Sequence, residues 1–493
     1  MQDIIKKTFE IDLRALALFR IGFGVILICD LAFRSFDIEN HYTDFGVLPR
    51  IEAINIMADY LFSIHLANGT LIFQTFLFII SFIFVIALTL GYKTHISTIA
   101  TWFLLLSLQN RNNMLLNGAD GLKLILLFWS SFLPLGTRYS LDALSKQDAS
   151  KKNDTHFSLA GMALLIMSVG IFFFAVFYKT GKEWYPDGTA IYYALHIGSN
   201  VTHLGVWFRQ FEFILKLGSY ATLVFEFFGP ILIFVTCWNY KIRLIMVGVF
   251  ILFQSSIALL LAIGTYPFIN LLTPLLFIPK KYWDIFETNA IFIKASNCLR
   301  AIFSKFILPS NTATDKENPR NAKLADKFSF IIFVFLLIWN IAELPKIDYK
   351  APRFIDNTLR FLGLNQNWNM YGPRPHDHSG WYLISGKLMD ESEVDVTRNK
   401  KGKTDFSRPE YLVDTYSTER WRKYLDQTRF RNDSQRQLLN YGRFICRSWN
   451  RGKPENEKLA IFKIHFMWEK TLLNYQKAEI IKETLWHHDC FKP

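Results

Sequence analysis

The stretch YKTGKEW, residues 178–184, sets a lysine at the end of a long apolar run. An amine held against apolar walls gives up its proton more readily than one in water, because burial disfavours the charged form. In that state Lys179 can serve as a general base near neutral pH, and the nearby Lys182 adds like-charge repulsion. The ordinary alternative is an anchor, since a lysine at the end of a span carries its ammonium to the headgroups. Charge at membrane depth is costly and calls for a partner or a role. Arg20 and Asp30 in the first apolar run, and Glu226 in FEFFGP, therefore read as an internal ion-pair or hydrogen-bond network, or as the lining of a polar pocket. The segment LQNRNNMLLNGADG, residues 108–121, is dense in amides: Asn110, Asn112, Asn113 and Asn117. It reads equally as a polar turn and as a set of amide donors bordering a ligand pocket.

The elements that hold these residues are apolar. Of 493 residues, 51% are hydrophobic and 47 are Phe, and the mean hydropathy is +0.17. A span needs about 20 mostly apolar residues. Nine runs approach this: 13–33, 71–90, 96–108, 122–135, 157–178, 215–238, 244–263, 267–278 and 328–344. The third, fourth and eighth are short and fit helices buried in a bundle, tilted or re-entrant. The expected fold is an α-helical polytopic membrane protein of about nine membrane segments with a C-terminal soluble α+β domain. The division falls at 1–345 and 346–493, where the composition turns polar and Trp-rich. Within the second part, 381–389, 393–397 and 459–468 read as strands and 417–449 as two polar helices. The first run has no small-residue cleavage site and reads as an uncleaved membrane helix.

The formal charge is +13, but the basic residues cluster between apolar runs rather than along a face interleaved with aromatics. That is the positive-inside pattern and excludes a nucleic-acid partner. With the N-terminus cytoplasmic, the acid-rich loop 34–70 falls outside, and Lys146, Lys151, Lys152, Lys241, Arg243 and the basic loop of about 280–327 fall inside. Lys179 and the C-terminal domain then lie outside a bacterial inner membrane, with membrane lipid as the first partner. The five cysteines, Cys29, Cys237, Cys298, Cys446 and Cys490, form no CxxC pair, so no metal site is signalled. Cys446 and Cys490 share the C-terminal region and can pair if it is extracytoplasmic, a point that spacing leaves open.

Several stretches resemble one family. RIGFGVILICDLAFR and HYTDFGVLPR, then NGADGLKLILLFWSSFLPLG, YKTGKEWYPDGTAIYYAL, IGTYPFINLLTPLLFIPKKYWD, LGLNQNWNMYGPRP and GWYLISGKLMDESEVDV are similar to the HTTM domain, the membrane domain shared with vitamin K-dependent gamma-carboxylase. The resemblance implies a lyase or oxidoreductase whose cofactor is reduced vitamin K or menaquinol, a lipophilic quinol oxidised with oxygen to its epoxide. The strong base formed on the way removes a proton from a glutamate of a secreted protein substrate, and carbon dioxide is captured. The family's base is a lysine shortly before a Trp; counting back from Trp184, that residue is Lys179 and not Lys182. The chain departs from the family at three places. Where the carboxylase has an Asn-Asn-His stretch, this chain has Asn117-Gly118-Ala119 with Asp120 next. A second histidine is replaced by Gln254, and an arginine by Leu195. The resemblance thus points to quinol binding more firmly than to carboxylation, with Lys179 as base and Asn117, Asp120 and Gln254 lining the site. The alternative is a non-enzymatic membrane scaffold, or a maturation or immunity-type partner of a secreted protein.

The expected topology is testable with single introduced thiols in a background lacking Cys29, Cys237 and Cys298. A membrane-impermeant maleimide should label Ser392→Cys in intact cells and Asn289→Cys only after permeabilisation; the reverse pattern overturns the orientation.

Overall fold

The computed structural model describes residues 2–145, 154–235, 239–290, 294, 319–431, 433–476 and 478–492. The basic residues at 146–153 and those between 295 and 318, with Cys237 and Cys298, lie outside the described residues.

Helices dominate the first part: α1 (Leu13–Ser35), α2 (Leu71–Leu90), α3 (Thr94–Arg111), α4 (Gly118–Ser130), α5 (Leu159–Tyr178), α6 (Glu212–Val235), α7 (Tyr240–Leu260), α8 (Tyr266–Leu272) and α9 (Pro319–Ala342). Six of them, α1, α2, α5, α6, α7 and α9, are long and apolar enough to cross a membrane. Among the described residues six meet that length and composition, and the expected count of nine is not confirmed. The three short runs became α3, α4 and α8, and α8 continues as a tight turn over Thr273–Phe277. With 13 residues, α4 is only about 20 Å long. It is buried on every side from Leu122 to Ser130, the mark of a helix inside the bundle rather than at its lipid face. The outer helices carry large apolar side chains into the surroundings, such as Ile72, Ile245, Leu252 and Leu324, which is lipid contact for an integral membrane protein.

Local signals fix the helix ends. Asp12 caps α1 by accepting the backbone N–H of Arg14 at 2.8 Å, and the Arg14 guanidinium is also held by Asp284 and Glu287 at 2.8 and 3.0 Å. α2 stops at Gly91, whose φ of +71° favours glycine, and a Cβ there would meet the Arg20 guanidinium. Arg20 spends its charge on the same end of the bundle, donating to the carbonyls of Leu135 (2.9 Å) and Tyr139 (2.5 Å). It thus joins a hydrogen-bond network, one of the two roles expected for it.

The second part is a five-stranded antiparallel sheet with two helices. The strands are β1 (His378–Leu388), β2 (Glu393–Asp395), β3 (Lys400–Lys401), β4 (Leu459–Lys470) and β5 (Ile480–Asp489), in the order β3-β2-β1-β4-β5. β1 and β4 form its long centre, with His378 opposite Lys470 and Lys387 opposite Ile461. The two polar helices are α11 (Glu419–Phe430) and α12 (Ser434–Asn450); a shorter α10 (Arg353–Phe361) precedes the sheet. A Cys446–Cys490 disulfide ties α12 to the end of β5. The strands at 381, 393 and 459 and both helices match the sequence expectation. β5 and a two-residue pairing of Ile11 with His156 are additions.

This sheet region docks on one end of the bundle. Arg447 donates to the Phe45 carbonyl at 2.9 Å, Arg451 pairs with Glu39 at 3.0 Å, and Ser379 Oγ accepts the Gly198 N–H at 2.8 Å. The loops 36–66, 112–117 and 179–203 therefore share that end, the grouping that the charge pattern predicts. Its firmest tie is Arg420, at the start of α11. One side of the guanidinium meets Asp120, the N3 residue of α4, and Nη2 meets Asp30 of α1 at 2.9 Å. Arg34 joins Asp30 (3.0 Å), Asp120 (2.6 Å) and the Tyr42 hydroxyl (2.9 Å), and Lys123 reaches Asp30 at 2.9 Å. All five charged side chains are at most 8% exposed.

Removing one member of a buried cluster leaves the others uncompensated, at a cost on the order of 3–5 kcal/mol. Arg420→Met should therefore lower the thermal midpoint of the purified protein markedly and speed proteolysis between 346 and 420, whereas exposed Arg451→Met should change little; equal effects would contradict this account.

Candidate functional site

α5 ends at Lys179 because the chain turns there: the Lys179 N–H bonds Val176 O at 3.1 Å, and the next turn is pinned by Gly181 N–H donating to Pro373 O at 2.9 Å. The Lys179 side chain folds back inward. Its Nζ lies 2.6 Å from Glu226 Oε2 of α6, 3.5 Å from the Ala175 carbonyl, and 5.2 Å from the centre of the Trp184 ring. The side chain is 3% exposed, and that of Glu226 8%. This is not a lysine reaching for headgroups. Lys182, by contrast, is exposed. Trp184 is itself fixed, its indole N–H donating to Tyr371 O at 3.0 Å.

Glu226 has a second peculiarity. Pro230 sits inside α6 and has no N–H, so the Glu226 carbonyl lacks its helical donor four residues on. Aromatic rings pack between the three helices α5, α6 and α7. Phe225 packs on Phe250 and Phe253 of α7, with centroids 4.7 and 4.4 Å apart, and Phe172 of α5 packs on Phe225 and Phe250 at 5.9 and 5.5 Å. Gln254 follows Phe253. It is fully buried, and neither its Nε2 nor its Oε1 has a hydrogen-bond partner. A buried amide with both ends open marks a place where a polar group is wanted. Glu226 and Gln254 each follow a ring of this cluster in the chain, and the Lys179 ammonium stands over the Trp184 ring, which puts an ion pair, aromatic surface and an open amide on neighbouring helices.

Asn117 and Asp120 are placed elsewhere. They form a capping box on α4: Asn117 Oδ1 accepts from Ala119 and Asp120 N–H at 2.9 and 3.2 Å, and Asp120 Oδ2 accepts the Asn117 N–H at 2.9 Å. Asn117 Nδ2 donates to Glu419 Oε1 at 2.6 Å. The Asp120 carboxylate is held by Arg34, Lys123 and Arg420. Both residues border a cleft of about 480 Å³ whose walls include neither Lys179 nor Gln254. The structure therefore separates the expected constellation into a lysine site and an amide-lined cleft. The segment 363–374 runs between them. Gln366 donates to Gly121 O at 3.1 Å at the cleft, while Tyr371, Pro373 and Arg374 brace the lysine turn, Arg374 pairing with Glu183 at 3.2 Å.

Sequence reasoning missed two residues and one pairing. Glu226 was expected in an internal ion pair or a pocket lining, and the structure supplies the ion pair; that Lys179 is the partner depends on how α5 and α6 cross. Arg420 gave no local signal, since it is one of many arginines on a polar helix. Arg209 supplies a guanidinium to the place where Leu195 stands, its Nε donating to the Leu195 carbonyl at 2.7 Å.

Residues 9–283 match the family model of the HTTM domain, the domain found in vitamin K-dependent gamma-carboxylase-like proteins. The match runs from before α1 to the helix after α8 and takes in Lys179, Glu226, Asn117, Asp120 and Gln254. Neither the curated proteins nor the solved structures include a match to the chain.

Lys179→Met alone leaves Glu226 buried without its cation and should cost several kcal/mol, on the order of 3–5. Lys179→Met with Glu226→Gln removes both charges and should recover most of that loss in thermal unfolding in detergent. A double variant no more stable than the single one would show that the two side chains are not energetically coupled.

Proposed function

The chain belongs to the HTTM domain family, and from that premise we propose a membrane enzyme of the gamma-carboxylase-like class that binds a reduced naphthoquinone, vitamin K or menaquinol, and oxidises it to its epoxide. The observation that carries this reading is the buried Lys179–Glu226 pair at the end of α5, with the ammonium over the Trp184 ring. The residue types suit such a ligand: the phenylalanines of α5, α6 and α7 are apolar and aromatic as its ring is, and Gln254 has an open donor and acceptor. A bound quinol supplies, with oxygen, the oxidation and the strong base that abstracts a proton from a glutamate side chain.

The chain's own part is proton handling. Moving the shared proton onto Glu226 Oε2 leaves a neutral amine at Lys179 Nζ, and the amine takes the quinol hydroxyl proton. The Trp184 ring, over which Nζ stands, favours the ammonium that results. The Lys179 side chain is 3% exposed, so little water reaches Nζ and the proton stays within the pair. The histidines of the family's pattern are replaced here, so carboxylation of a protein glutamate is the less supported half of the activity. The Cys446–Cys490 bridge favours an oxidising compartment for the sheet region, and with it an outward-facing Lys179. A second reading, a non-enzymatic scaffold or a maturation or immunity-type partner of a secreted protein, rests on Lys179 being already paired.

Wild-type protein given reduced menaquinone or vitamin K and oxygen should form epoxide, and the stable Lys179→Met/Glu226→Gln variant should form none. Epoxide from both removes Lys179 from the chemistry; epoxide from neither, with the fold intact, turns the reading to the second.

A further inference from the structure

The end of the bundle away from the sheet region carries two short helices outside the spans, Gln2–Phe9 and Lys280–Glu287. Both sit where α6 ends and α7 begins. Phe9 packs on Phe234 near the end of α6, with centroids 5.2 Å apart, and Arg243 of α7 donates to the Thr8 carbonyl at 3.4 Å. Tyr282 packs on Tyr240, the first residue of α7, at 6.0 Å, and Lys281 Nζ donates to the Tyr240 hydroxyl at 3.0 Å. The two helices and the start of α7 are therefore one surface, held together by aromatic contacts.

This surface shows apolar and basic side chains together. Ile4 and Ile5 on the first helix, and Ile285 and Phe286 on the second, are exposed. So are Lys6, Lys7, Lys281 and, on α7, Lys241. Water alone gives no reason to gather large apolar side chains outward. The boundary of a bilayer does: the apolar residues enter the acyl region while the lysines carry their ammonium groups to the headgroups.

The ammonium groups are also unspent. The acids of the second helix are taken, Asp284 and Glu287 holding Arg14 at 2.8 and 3.0 Å. Asp154 is taken by Arg138 and Lys280. Lys281 stands 4.3 Å from the centre of the Tyr240 ring and meets that residue's hydroxyl, neither of which cancels its charge. What remains against four ammonium groups is Asp3, in the first turn of its helix, and Glu10, past its end. A zwitterionic headgroup brings its own cation and leaves this excess in place; a headgroup with net negative charge removes it.

From this we propose that the two helices and the start of α7 bind anionic phospholipid, the phosphates on the four lysines and the acyl chains against the exposed isoleucines. The partner is more specific than lipid in general, and the inference is independent of the chemistry at Lys179.

The test uses the full chain in a neutral polyoxyethylene detergent, titrated with dioleoyl phosphatidylglycerol or dioleoyl phosphatidylcholine, with bound lipid counted by native mass spectrometry. The wild type should hold phosphatidylglycerol at least about tenfold more tightly. Each lysine beside an anionic headgroup is worth about fivefold, so Lys6→Gln/Lys7→Gln/Lys241→Gln should lose most of that preference. These three side chains are exposed, so the variant should unfold at the wild-type temperature in detergent alone. Added phosphatidylglycerol should then raise the midpoint of the wild type and not that of the variant. Lys400→Gln/Lys403→Gln/Lys470→Gln removes as many exposed lysines from the sheet region and should bind as the wild type does. Equal affinity of the wild type for the two lipids overturns the inference. So does a preference kept by the first triple variant, or lost equally by the second. Displacement of the lipid by excess inorganic phosphate or by a polyglutamate peptide overturns it too, and assigns the surface to a soluble anion.

Discussion

The buried assembly of Asp30, Asp120, Arg34, Lys123 and Arg420 is the constraint on which the rest of this structure depends. Two carboxylates and three cations, taken out of water together, are tolerable only if nearly every oxygen and nitrogen has a partner. The geometry meets this demand with parts from three places: the last turn of α1, the first turn of α4 and the first turn of α11. Because each part is useless alone, the cluster fixes the register of all three elements at once. α4 is too short to be held by a bilayer, and it is held by these charges and by its capping box instead. The placement of α4 in turn sets one wall of the amide cleft.

The lysine site is built by the opposite means. One ring, that of Trp184, stands by the ammonium, and one ion pair bridges two spans. The segment 363–374 reaches both places, giving Gln366 to the cleft and the carbonyls of Tyr371 and Pro373 to the turn that carries Lys179. Displacement of that segment would disturb both sites through backbone bonds. The two sites are thus mechanically joined although they share no side chain.

Much of the helical architecture was legible, because a bilayer demands long apolar runs and the sequence shows them plainly. That the loops 36–66, 112–117 and 179–203 share one end with the sheet region was legible too, since the sparsely basic loops were grouped by their charge. The alternating strands at 381 and 459 followed from their pattern. β5 escaped notice because its residues, KETLWHH, are polar on an edge strand and show no buried alternation. Lys179 was visible as a chemically poised residue, while its partner was not: pairing across 47 positions depends on how α5 and α6 cross. Asn117 and Asp120 were rightly read as neighbours but were assigned to the lysine, because linear order cannot show that α4 turns their side chains toward α11. The amides of 365–367 were on the page as part of a motif, and only the fold sets them opposite Asn113.

The position of Arg420 in the chain carries a meaning for biogenesis. It follows Asp120 by 300 residues, so the membrane helices are made before it exists. In that interval Asp30 and Asp120 face Arg34 and Lys123, two negative groups against two positive, and the half-built cluster is electrically neutral. A neutral set can enter a bilayer where a lone charge would resist. The guanidinium that arrives last adds surplus positive charge and fastens the sheet region to a bundle already in place. The order of synthesis is thus also an order of assembly, insertion first and latching second, and the latch is withheld until there is something to close.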